Sequence, residues 1–475
     1  MSDTDKEDSA KSAATQDLSD RRKRWAQKRA RREKHIAGVS AVLRIRLFML
    51  VLLIFFVIGL IWFARPKTST LEKRMLTKFP TPTAESFLDG DFFKGISTWY
   101  ADTYPLREPM IAGFMKFRNL YGIQSEQLIN GDNAASGESI PDSADESLKT
   151  VSTDETGAAA SSSSETAQDT EDTTVAAMDL QGDIYISGNK GYGLYYFQKD
   201  QADQMIRTFN QIYESIHDKA NMYLMIVPNG SAVELNQATL DSLGGSNDGD
   251  AIHYIYSGLE DGIKTVDDYT ALKDHKDEYI YFNTDHHWTQ LGSYYAYREF
   301  CSVKGITPHE LSDFTEKDFP GFLGSYYSES NQSPELASNP DTVQTWKPKG
   351  TNDMKLVTTD GQETDWWIIS DVSDAPEGEK YTTFAGSDNP FSYAHNDAIQ
   401  DGSSVLVVKD SYGNAFIPWL IDHYENVYWV DPRYDTTDTV SKLESEYGID
   451  DVIYECSIYN GSTTALQSAY LAIGQ

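Results

Sequence analysis

Residues 405–416 read "VLVVKDSYGNAF". Four consecutive aliphatic residues describe a strand buried on both faces, because a half-exposed strand alternates apolar with polar positions. Lys409, Asp410 and Ser411 end the run, Gly413 relieves the turn, and "AFIPWLIDHY" (415–424) reads as a helix. Such a strand–turn–helix lifts a serine hydroxyl out of the end of a sheet and aims backbone N–H groups at whatever it attacks. Outward from this stretch the same pattern recurs. "NMYLMIVP" (221–228), "EYIYFNT" (278–284), "NVYWVD" (426–431) and "DVIYECS" (451–457) read as buried strands. Between them, Met205, Ile206, Phe209, Ile212, Tyr213 and Ile216 share one helical face, and "TQLGSYYAYREFCSVKG" (289–305) reads as a second helix. Apolar strands alternating with helices predict an α/β domain, a mostly parallel sheet flanked by helices. Chemistry in such sheets gathers at the carboxyl ends of the strands.

Three predicted strand ends carry polar groups: "DHHW" (285–288), "KDSYGN" (409–414) and "DPRY" (431–434). A serine hydroxyl is a poor nucleophile at neutral pH and needs a base within hydrogen-bond reach. His287 supplies the base in this reading, with Asp285 fixing its tautomer and stabilising the imidazolium. An Asp and a His two positions apart meet only where the chain turns, and the end of "EYIYFNT" offers that turn. Ser411, His287 and Asp285 are thus the candidate catalytic residues, against the alternative of a helix-capping serine beside an ordinary turn. His286 reads as structural. Trp288, Tyr412 and Tyr434 are candidate sugar-stacking residues, and Arg433 a candidate ligand for substrate oxygens, although it also has Asp431 and Asp435 nearby as ion-pair partners. No metal or other cofactor is expected, because adjacent histidines rarely reach one zinc ion and no second ligand cluster is visible.

"TDHHWT", "VVKDSYGNAFIPWL" and "WVDPRY" together resemble the DHHW protein family, relatives of the bacterial alginate O-acetylation proteins. The resemblance runs from "LEKR" near residue 72 to the C-terminus. It implies an SGNH-hydrolase-like domain in permuted order, with the Asp-x-His pair ahead of the serine. Asp285 and His287 match that pair and Ser411 the nucleophile. Lys409 stands where many SGNH enzymes carry glycine, which places the oxyanion hole in question.

The formal net charge of -33 argues against nucleic acid as a partner, since phosphate binding needs basic surface. That charge is uneven. Residues 21–34, "RRKRWAQKRARREK", are basic, and "LFMLVLLIFFVIGLIWFA" (47–64) is an unbroken apolar run long enough for one transmembrane helix. The excess of Lys and Arg before it predicts a single-pass plasma-membrane protein with a cytoplasmic N-terminus and an extracellular ectodomain. The expected organisation is a basic tail (1–46), the span (47–64), a helical start to the ectodomain (65–131), a disordered acidic Ser/Thr-rich insertion (132–179) and the α/β domain (180–475). Cys301 and Cys456 form no disulfide framework or metal spacing.

The expected function is acyl, specifically acetyl, transfer to cell-surface polysaccharide, or ester hydrolysis on it, at a Ser-His-Asp triad. The resemblance also implies an integral-membrane partner that delivers the acyl group. The alternative is a non-catalytic surface protein that binds wall polysaccharide through the same fold.

Overall fold

The computed structural model describes residues 137–149, 183–434 and 439–474 continuously, with shorter pieces between residues 46 and 129. Two compact units divide the chain. The smaller comprises residues 1–69 and 75–110, and the larger comprises residues 70–74 and 111–475. Within the smaller unit the helix Asp91–Asp102 carries Trp99 edge-on to Phe79, and Arg65 donates to the Thr103 carbonyl at 3.1 Å. Of the apolar run 47–64, only Phe48, Met49, Leu50 and Leu53 are described; they are helical and exposed, and the rest of the predicted span lies outside the described residues. Among the described residues no helix is long and apolar enough to cross a membrane.

The larger unit is built on one eight-stranded sheet. Its strands are β1 (Asn221–Val227), β2 (Lys264–Val266), β3 (Asp353–Val357), β4 (Glu363–Trp367), β5 (Phe391–His395), β6 (Ser404–Lys409), β7 (Asn426–Val430) and β8 (Asp451–Ser457), in the spatial order β4-β3-β5-β7-β6-β8-β1-β2. β7, β6, β8, β1 and β2 run parallel, whereas β5, β3 and β4 join antiparallel. The sheet is therefore mixed, which corrects the expectation of a mostly parallel one. The antiparallel extension comes from 353–395, where exposed β4 has no continuous apolar run.

β6 is buried along its whole length because both faces are covered. Val405 and Val407 pack with the helix Gln290–Lys304, here α2, through Tyr297 and Phe300. Leu406 and Val408 face the other layer: α1 (Lys199–Ile216), α3 (Val440–Tyr447) and α4 (Thr464–Ile473). Burying side chains of this size stabilises by about 1.5–3 kcal/mol each. Cys301 and Cys456 are buried free thiols.

Residues 278–284 are not a strand of this sheet. Ile280, Tyr281 and Phe282 are buried as expected, but the chain folds straight back, with Tyr281 bridging Trp288 and Thr289 N donating to Ile280 O. The reason lies in Asp341, whose carboxylate accepts from Asn283 N, Thr284 N, Thr284 Oγ1 and Tyr279 Oη at 2.6–2.8 Å. It takes the backbone donors that a ladder would have used.

Glu126–Ile129 pairs antiparallel with Ile184–Ser187, so the acidic insertion joins adjacent strands. Its early part departs from the disordered expectation. Leu148 is buried, and its carbonyl accepts from Asn210 Nδ2 at 2.9 Å. Residues 150–182 lie outside the described residues.

One buried carboxyl makes a pH prediction. Asp248 Oδ2 accepts from Asn229 N and Nδ2, Oδ1 has no partner among the described residues, and burial pushes the carboxyl up to about 7 against those bonds. A carboxyl raised in the folded state contributes stability fully present below its unfolded value and lost as pH rises through the folded one. Asp248→Asn keeps an acceptor and removes the charge. Its stabilisation, read by urea unfolding, is expected to grow from about 2 kcal/mol near pH 5 to about 4 kcal/mol near pH 8. A gain that shrinks with rising pH would contradict this.

Candidate active site

The serine turn follows β6. Asp410 organises it: Oδ1 accepts from Tyr412 N at 2.9 Å, Oδ2 accepts from Ser457 N at 2.9 Å and from Asn460 Nδ2 at 3.0 Å, and the carbonyl accepts from Gly413 N. A Cβ on Gly413 would sit 2.6 Å from Lys409 Cβ and 2.7 Å from Glu455 Oε2, so close approach is what requires glycine there. With Tyr412 N and Gly413 N engaged, Ser411 N–H is the amide of this turn that has no acceptor among the described residues. The expectation of several converging amides reduces to this one.

The opposite half of the site is the fold-back at 283–289. His287 Nδ1 lies 2.6 Å from Asp285 Oδ1, which also accepts His287 N at 3.0 Å, and His287 Nε2 lies 2.9 Å from Ser411 Oγ. The second Asp285 oxygen accepts Ser325 N at 2.8 Å. A Cβ at Gly324 would meet that oxygen at 2.1 Å, so only glycine lets the 324–325 backbone approach. Burial opposes the Asp285 charge, but His287 and His286 outweigh it and hold the carboxyl well below the usual carboxylate range. The three predicted residues therefore meet in one hydrogen-bonded line, with Ser411 3% and His287 6% exposed.

Trp288 and Tyr412 do not face an open site. Both are fully buried, and they bind the two halves together: Trp288 Nε1 donates to Tyr412 O at 3.0 Å, and Tyr412 Oη donates to His286 O at 2.5 Å. This corrects their reading as sugar platforms, since a ring without exposed face cannot stack on a ligand. Arg433 is likewise turned inward. Its Nε and Nη2 bind Asp431 at 2.9 and 2.7 Å, and Nη2 lies 3.1 Å from Asp388. A guanidinium 2% exposed and already held by two carboxylates does not face an open site, which corrects its reading as a ligand for substrate oxygens. Tyr434 stays partly exposed.

His286 Nδ1 pairs with Ser325 Oγ at 2.6 Å. The potential ligand atoms of Asp285, His286 and His287 lie within 4.8 Å of one another. The Asp285–His287 contact and the His287–Ser411 contact occupy both imidazole nitrogens of His287, and a metal ion there would have to displace one of them.

Tyr381 and Asp388 escaped the sequence reading. The Tyr381 ring stacks on His287 with centroids 4.0 Å apart and planes 11° apart, and its hydroxyl donates to Ser411 O at 3.0 Å. Asp388 accepts Lys409 Nζ at 2.9 Å and Asn414 Nδ2 at 2.8 Å. Ala385, Gly386 and Ser387 all have positive φ (47°, 71° and 66°) on the way to it. Left-handed backbone at two non-glycine residues is a local strain of the kind found beside functional sites. "FAGSDN" offers only a loop signal, and nothing in it announces a partner for a lysine on a distant strand.

Solved structures share this fold. A DHHW family protein from Eubacterium siraeum matches with 28% identity and a TM-score of 0.55, over 61% of this chain and 94% of that one. PatB1 from Bacillus cereus matches with 19% identity and a TM-score of 0.51, over 59% of this chain and 97% of that one, and shares the fold. A weaker likeness, 12% identity with a TM-score of 0.32 over 60% of this chain and 96% of that one, is to the O-acetyltransferase domain of Pseudomonas putida AlgJ. No curated protein matches significantly in sequence. The family model described as "DHHW protein" matches residues 72–176 and 143–430, more than half of the sequence, and the chain belongs to the DHHW family.

Proposed function

We propose that this protein is an SGNH-type acyltransferase that moves an acetyl group onto a hydroxyl of cell-surface polysaccharide. The observation that carries this reading is the line Asp285–His287–Ser411, at 2.6 and 2.9 Å. Ser411 Oγ attacks the carbonyl of an acetyl ester while His287 Nε2 takes its proton. The donor oxygen leaves with that proton, and acetyl-Ser411 remains. A sugar hydroxyl then gives its proton to His287 and attacks the acetyl carbon, and the proton returns to Ser411 as the bond breaks. Asp285, kept ionised beside the ring, stabilises the imidazolium in both halves. Ser411 N–H is placed to donate to the oxyanion. The face of Tyr381 stacked on His287 holds the plane of the imidazole.

The acetyl group and the glycan acceptor come from the family resemblance to alginate O-acetylation proteins. Tyr434 is the remaining candidate for an acceptor contact. The apolar run 47–64 would anchor the domain outside the membrane, where cytoplasmic acetyl donors do not reach it, and an integral-membrane partner would deliver the group. The test is mass spectrometry of short wall oligosaccharides incubated with the protein and an acetyl ester. Acetylated sugar, with ester consumption faster than in water alone, is expected. Rapid release of free acetate with no acetylated sugar from any native envelope polymer would replace transfer by hydrolysis.

A further inference from the structure

The sheet face that carries Leu406 and Val408 continues past β7 onto the antiparallel strands. In register, Leu406 stands beside Tyr428, Tyr428 beside Tyr393, Tyr393 beside Lys355, and Lys355 beside Asp365. Side chains opposite one another across a sheet share a face, and alternation puts Trp367 on it as well. Over β6 this face is closed by helices, and on β7 Tyr428 is half-buried. At β4 it is open: all five positions are exposed, and Trp367 is 51% exposed.

An open cleft of about 520 Å³ lies here, lined by Trp367, Tyr393, Lys355, Asp365, His395 and Asp397. Its polar groups are held in place. Lys355 pairs with Asp365, and His395 binds Asn426 at 2.8 Å and Asp397 at 3.2 Å. The aromatic lining continues beyond the cleft, from Tyr393 to Tyr428 (6.3 Å between centroids) and on to half-exposed Tyr447 (4.7 Å).

An exposed indole bordered by exposed hydrogen-bonding groups suits a ligand with one apolar face and a polar rim. A pyranose ring is such a ligand: its C–H face lies on the indole, and its hydroxyls reach the carboxylates and the ammonium. The line of four aromatic rings suits a chain of such rings. Charge narrows the class. Asp365 and Asp397, in a chain of net charge -33, oppose a polyuronate or a nucleic acid, whereas a neutral sugar is unaffected.

We infer that this cleft is a glycan-binding site separate from the serine, and that it holds a neutral hexopyranose chain on Trp367. His395, Asn426 and Ser404 stand in register at the start of the parallel strands, whereas Ser411 follows the end of β6. Six strand residues separate the two ends by about 20 Å. The cleft therefore anchors polymer and does no acetyl chemistry. The anchoring role rests on the proposed transfer activity; the binding does not.

The experiment is calorimetric titration of the full chain with hexamers of β-linked glucose and β-linked N-acetylglucosamine, with a polyuronate as the contrast. At least one neutral hexamer is expected to bind and the polyuronate not to. Trp367→Ala should weaken binding roughly tenfold or more, the loss of one aromatic stacking partner. Ser411→Ala should bind as wild type, and Trp367→Ala should keep the acetyl-serine burst from a small ester. Failure of both hexamers to bind, equal binding by Trp367→Ala, or a dimer that Trp367→Ala dissolves would overturn the inference. Absence of the burst in wild type, with hexamer binding intact, would instead refute the transfer reading and leave this site standing.

Discussion

Ser411→Ala is expected to abolish the burst of chromophore from an acetyl ester and to lower turnover by about 10⁴-fold or more. In the proposed transfer Ser411 Oγ carries the acyl group, and it is the hydroxyl that His287 Nε2 reaches, at 2.9 Å, among the described residues. His287→Ala should be comparably severe, because residues that act as a unit lose their function together. Asp285→Asn should fall by about 10⁴-fold as well, since an amide does not support the required tautomer or the imidazolium. Stability separates this result from misfolding. Among the described residues the Ser411 hydroxyl has a single side-chain partner, so Ser411→Ala should change unfolding free energy by about 1 kcal/mol or less. Intact-mass measurement should find one acetyl group on wild type and none on Ser411→Ala. Unchanged turnover in Ser411→Ala would remove the catalytic reading and leave a glycan-binding protein on the same fold.

The second large effect concerns stability. Asp431→Ala is expected to cost about 3–5 kcal/mol, read by urea unfolding. Asp431 is fully buried, accepts the Nε–Nη2 edge of the Arg433 guanidinium with both carboxylate oxygens, and lies 3.4 Å from Lys409 Nζ, itself fully buried. Removing it leaves two buried cations with Asp388 between them. Burial lowers the Lys409 ammonium, but Asp388 and Asp431 reverse this and raise it, so the ammonium stays charged and its loss of a partner is felt in full. Lys409→Met should cost less, since both carboxylates keep Arg433. The same cluster sits under the serine turn, so Asp431→Ala should also reduce acyl-enzyme formation. A loss below about 1 kcal/mol would mean that water reaches these groups and that the cluster does not brace the turn.

The strands were legible wherever an apolar run was continuous. "VLVV", "MYLMIV" and "VIYEC" lie in the parallel part of the sheet as read, because a segment buried on both faces is apolar at almost every position and advertises itself, Glu455 being the exception. "EYIYF" carries the same signal and is not a strand. Burial was read correctly, but Asp341, 57 residues from Thr284, decides where the backbone donors go. The antiparallel strands β3, β4 and β5 carried only a weak alternating signal, and the mixed character of the sheet was missed with them.

Within the site, the sequence by itself determined the chemistry-bearing types. An acid two positions before a histidine, and a serine at the end of a buried strand, are local patterns with a chemical reason. The reading of His286 as structural came from the same local pattern, and its imidazole pairs with Ser325 Oγ. Only the tertiary structure decided which way the larger side chains point. Trp288 and Tyr412 lie beside the catalytic candidates in sequence, yet both are turned into the interior, where they tie the two halves of the site together, and Arg433 is turned inward onto Asp431 and Asp388. Tyr381 and Asp388, from an unremarkable loop, are the side chains that touch His287 and Lys409. Adjacency along a chain sets which residues arrive together; burial and the hydrogen-bond partners waiting there set which of them meet solvent, and those partners come from segments far away in sequence.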